Sequence, residues 1–114
     1  MNGMKAIEYL SGLTERVSLH SKDNTDKFWS YKMKTGRRIE FAFDPNTTTK
    51  LVIRADSPFP EIDGIKDVKS LKGESVSTAL NRVFSGGVHV ARFKATIETL
   101  STLKKLLEHY ETSK

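Results

Sequence analysis

The sequence predicts a small α+β domain: one antiparallel sheet of four to five strands, a meander plus one later strand, with two or three amphipathic helices packed on one face. Three observations carry this. Residues 29 to 55 alternate apolar and polar side chains, three other stretches repeat apolar residues at spacings of three and four, and turn-forming residues stand at the joins. At 114 residues the chain has room for one globular domain, spanning 1–114, with one core.

The first helix is expected over residues 4 to 18, where Ala6, Ile7, Leu10, Leu13 and Val17 share a face. Gly12 interrupts it at a cost of about 1 kcal/mol relative to alanine. After a polar stretch the period changes to two. Trp29, Tyr31 and Met33 form the apolar side of one strand, Ile39, Phe41 and Phe43 of the next, and Leu51, Ile53 and Ala55 of a third. Thr35-Gly36 and Asp44-Pro45-Asn46 supply the two turns, and Ser57-Pro58-Phe59-Pro60 ends the meander.

Beyond it, Asp63-Gly64 marks a turn before a short strand around Ile65 to Val68. Val76, Ala79, Leu80, Val83 and Phe84 mark a middle helix capped by Ser75. A strand over 87 to 94 follows, then a last helix with Ile97, Leu100, Leu103, Leu107 and Tyr110 on one face and Thr96 as its cap. Helices on the Trp29, Phe41 and Ile53 face leave the opposite face of the sheet to solvent.

Charge narrows the partners. Nineteen Lys and Arg against fourteen Asp and Glu give a formal charge of +5, which favours nucleic acid or an acidic protein as a partner. There is no cysteine, so disulfides, thiolate zinc sites and cysteine nucleophiles are excluded. The opening residues lack the apolar run of a secretory signal, and no stretch of 18 apolar residues exists. A cytoplasmic protein without membrane contact is the expectation.

Gly86-Gly87 has the composition of a phosphate loop, but it follows a helix and precedes a strand. Phosphate loops need the reverse order, so these glycines read as a helix stop. The other end of that helix is the better anion site: Lys69, Lys72 and Ser75 gather beside Gly73 at a helix start, although Glu74 occupies the same turn. No metal or cofactor is expected, because His20, His89 and His109 are isolated in sequence.

The largest candidate site is the polar side of the strands, which carries Lys32, Lys34, Arg38, Lys50 and Arg54, joined by Arg92 and Lys94 from the later strand. Lysines and arginines on a sheet can track a phosphate backbone; they also serve as ordinary solvated, edge-guarding charges. Trp29, Tyr31, Phe41 and Phe43 would stack bases if exposed, and belong to the core if the helices cover them. The primary expectation is therefore a non-enzymatic nucleic-acid-binding or accessory module. The alternative is a protein-interaction module, a homodimer or an inhibitor of an acidic partner, anchored by Phe59 between its two prolines. A weaker alternative, a metal-dependent nuclease, would use Glu40, Asp44 and Lys50.

Overall fold

The computed structural model describes residues 1–19, 28–71, 84 and 91–113. They form an α+β fold with one fully antiparallel sheet of six strands and two helices: α1 (Gly3–Ser11), β1 (Val17–Leu19), β2 (Trp29–Met33), β3 (Glu40–Phe43), β4 (Leu51–Ala55), β5 (Ile65–Ser70), β6 (Phe93–Ile97) and α2 (Leu100–Thr112). The strand order is β1-β2-β3-β4-β6-β5. The chain thus leaves β4 for the far edge, builds β5 there, and returns to insert β6 between the two.

The expected class holds, with more strands than expected. The sixth strand comes from the tail of the predicted first helix. That helix stops at Ser11, with Gly12 as its cap, and its start is fixed by Asn2, whose side chain accepts from the Lys5 amide at 3.0 Å. Val17 does point into the core, but from a strand paired with β2.

The last helix also starts later than its apolar spacing suggests. Phe93, Ala95 and Ile97 alternate as a strand, and Ile97 lies opposite both Leu51 and Ile65. The cap is Thr99, which accepts from the Thr102 amide at 3.1 Å; Thr96 sits within β6. The expected middle helix and the expected strand from residue 87 lie outside the described residues, apart from Phe84 and positions 91 to 94.

Register assigns the two faces of the sheet, because directly opposed residues project to the same side. Tyr31, Phe41, Ala55 and Phe93 form one row, and Trp29, Phe43, Ile53 and Ala95 the next. Both rows meet α1 and α2, which contribute Ala6, Leu10, Leu103, Leu106, Leu107 and Tyr110 to the same core. The Tyr31 ring stacks on Phe41 and Phe43 at 5.7 and 5.6 Å between centroids. Burial of this hydroxyl pushes its pKa up to about 12. Tyr31, Phe41 and Phe43 are therefore core residues, and Trp29 packs against that core half-buried.

The opposite face does not lie open to solvent as expected. Its centre is covered: Ala42 is buried against Phe84 and Ala91, Phe28 packs beside them, and Ser30 and Glu40 are buried in the same region. The alternation there is polar or small rather than apolar, so only a residue distant in sequence, Phe84, reveals that this side has a cover of its own.

Candidate functional site

This second apolar cluster divides the cations of the polar face into two groups. On one side, Lys32 is half-buried in β2 opposite Glu40 and Ser18. Lys34 and Arg38 are exposed in the β2–β3 turn, where Lys34 Nζ donates to the Thr14 carbonyl and the Arg38 amide closes the turn on the Thr35 carbonyl. Arg16 beside them is committed to Glu111 through two hydrogen bonds, which raise its pKa. Lys34 thereby ties the turn to the segment before β1, and Arg16 ties the entry to β1 to α2.

The second group stands at the other end of the sheet. Arg54 in β4 lies opposite Lys94 in β6, and Lys94 lies opposite Lys69 in β5, so three cations on three neighbouring strands share one row and one face. Strands are about 4.8 Å apart, which places the whole row within roughly 10 Å. Arg54 donates from its guanidinium to the Ala91 carbonyl at 2.7 Å, fixing one end of the row against the covering segment. Lys94 is half-buried, whereas Lys69, Lys66 and Arg92 are exposed. Lys66 adds a further cation on the same side of β5, opposite Thr96.

The backbone presents these side chains unusually. Register shifts between Lys66 and Lys69, and Asp67 within that irregularity has a φ of 53°. A bulge of this kind bends an edge strand and discourages another chain from adding to it. Lys50, one residue before β4, is exposed but outside the row. Of the predicted helix-start anion site, Lys69 belongs to this row instead, and Lys72 and Ser75 lie outside the described residues.

The remaining candidates are not brought together. Glu40 is the first residue of β3 and Asp44 follows its last, and Asp44 is occupied as a turn cap, accepting from the Asn46 amide at 2.8 Å. Among the described residues no three His, Asp or Glu side chains gather as a metal site. His109 is exposed near the end of α2, and His20 and His89 lie outside the described residues. Phe59 packs partly against the main core and also lines an open hollow of about 560 Å³ with Pro60, Ile62, Ile65 and Val68. No helix among the described residues is long and apolar enough to cross a membrane.

One cluster went unread in the sequence. Asp56, just beyond β4, accepts from the Glu40 amide and the Ser57 hydroxyl, both at 3.3 Å. Burial raises its pKa, and the nearby charge of Glu40 raises it further, against the lowering effect of those hydrogen bonds. A folded-state pKa above the unfolded one means that the charged form opposes folding. Stability therefore declines as pH rises from the ordinary carboxylate range through the raised value. Asp56→Asn retains the acceptor and removes the charge. It should gain up to about 1 kcal/mol at pH 7 and flatten that part of the pH profile in urea unfolding; an equal loss at every pH would contradict this account.

No protein-family model matches the chain, and comparisons with curated proteins and with solved structures return no match.

Proposed function

We propose that the protein is a non-enzymatic nucleic-acid-binding module and that the β4–β6–β5 end of its sheet is the contact surface. The observation that supports this reading is the Arg54–Lys94–Lys69 row, flanked by Lys66 and Arg92. Like charges placed directly opposite on neighbouring strands oppose folding by about 0.2–1 kcal/mol per pair, and a polyanion laid across them removes that penalty. The net charge of +5 draws such a ligand in from a distance.

Lys66, Lys69 and Lys94 are the cations best placed to displace counterions, which gives a slope of log K against log salt of about −3. Fluorescence anisotropy with a labelled duplex should show dissociation constants in the micromolar range at low salt, weakening with that slope. Lys94→Met should lower the slope by about 1. Failure to bind any nucleic acid at low salt would remove the reading.

A further inference from the structure

Resting on that reading, we infer that the site takes a double helix by its phosphates alone, without base readout and without preference for single strands. The orientation of the rings carries this. Every aromatic residue of the described strands, Trp29, Tyr31, Phe41, Phe43 and Phe93, belongs to the helix-facing rows, so none stands beside Lys69 and Lys94 on the cationic face. Phe28 and Phe84 pack against the second apolar cluster. Binding of unpaired strands draws on bases stacked upon such rings, and among the described residues the two rings on this face lie with Ala42 and Ala91 rather than beside Lys66, Lys69 and Lys94.

Base-edge reading fares no better. The sequence contains no glutamine. Of the described asparagines, Asn2 caps α1 and Asn46 sits in the turn after Asp44, both away from the row. Lys66 and Lys69 end in ammonium groups, which act as point charges rather than as a planar fork matched to a base. Arg54 is held by the Ala91 carbonyl, and Arg92, though exposed, also has a partner within the protein.

Without stacking or base contacts, affinity follows phosphate density. A duplex carries one charge per about 1.7 Å of axis, twice that of either strand alone, and returns more counterions for each cation that meets it. The ligand class that fits is therefore a duplex, and the binding should be indifferent to its sequence.

Anisotropy with the full chain tests this, using duplexes of mixed, A·T-only and G·C-only sequence and a thymidine single strand of the same length. The expected result is that the duplexes agree within about threefold and the single strand binds more weakly, because only the charge term operates. Lys69→Gln should weaken all duplexes by the same factor and leave the thermal midpoint unchanged or higher. Tighter binding of the single strand, or a tenfold preference for one duplex, would overturn the inference while leaving nucleic-acid binding intact. Absence of binding to all four probes at low salt would overturn both.

Discussion

Replacing Gly36 with alanine should destabilise the protein by about 2–4 kcal/mol, enough to lower the thermal midpoint by about 10 °C or more. Gly36 has a φ of 64°, in the left-handed region that opposes a side chain. A Cβ there would also stand 2.6 Å from the Tyr110 carbonyl oxygen and 2.7 Å from that of Ser113. These contacts are with backbone, so no rotamer change relieves them, and the β2–β3 turn would have to leave the end of α2. Gly12 provides the contrast. Its φ is −84° and its nearest contact would be an ordinary 3.5 Å, so Gly12→Ala should be neutral or slightly stabilising. Thermal and urea unfolding of the two variants measure the difference directly; equal midpoints would show that the turn does not dock beneath α2.

The second large effect is expected at Tyr110, and it has opposite signs for two substitutions. The ring is fully buried and lies 5.9 Å from Phe41 between centroids, at the point where α2 meets the sheet. Tyr110→Ala should cost about 3–5 kcal/mol through lost burial and the cavity left behind. The hydroxyl tells a different story: it is buried without a hydrogen-bond partner, and burial together with the charge of Asp56 drives its pKa upward. An unmatched buried hydroxyl costs about 1–3 kcal/mol, so Tyr110→Phe should leave stability unchanged or raise it. A marked loss on Tyr110→Phe in urea unfolding would show that the hydroxyl is bonded after all.

Much of this fold is legible from period and turn chemistry alone. Residues 29 to 55 alternate over runs long enough to fix both the strands and the buried side, and Thr35-Gly36 announces a turn that only glycine fills without strain. β1 is not legible, because three residues cannot establish a period and Val17 continues the spacing of the helix before it. Ile97 satisfies the helical and the alternating pattern equally, and only its pairing with Leu51 and Ile65 assigns it to β6.

The site was legible residue by residue and not as an arrangement. Arg54, Lys69 and Lys94 each invite attention as cations, but their common row depends on β6 returning between β4 and β5. Nothing in local sequence encodes that order. The splitting of the expected basic stripe follows from Phe84 and Ala91 over Ala42, a contact between distant segments. Asp56 was missed because its pattern, an acidic residue before Ser-Pro, is that of an ordinary turn; its significance comes from burial beside Glu40 and Tyr110.

The division of labour between the faces makes a claim that stability and binding can test together. If the aromatic face builds the fold and the Arg54–Lys94–Lys69 row serves a polyanion, the row costs the unliganded protein stability that binding restores. Lys94→Met keeps the aliphatic stem of the half-buried middle residue and removes its charge. The most direct measurement is the thermal midpoint and the duplex affinity of this one variant beside the parent chain. The account predicts a midpoint at or above that of the parent, by up to about 1 kcal/mol in stability, together with weaker binding and a salt slope smaller by about 1. A lowered midpoint with unchanged duplex affinity would contradict it, and would make Lys94 a structural residue of the sheet.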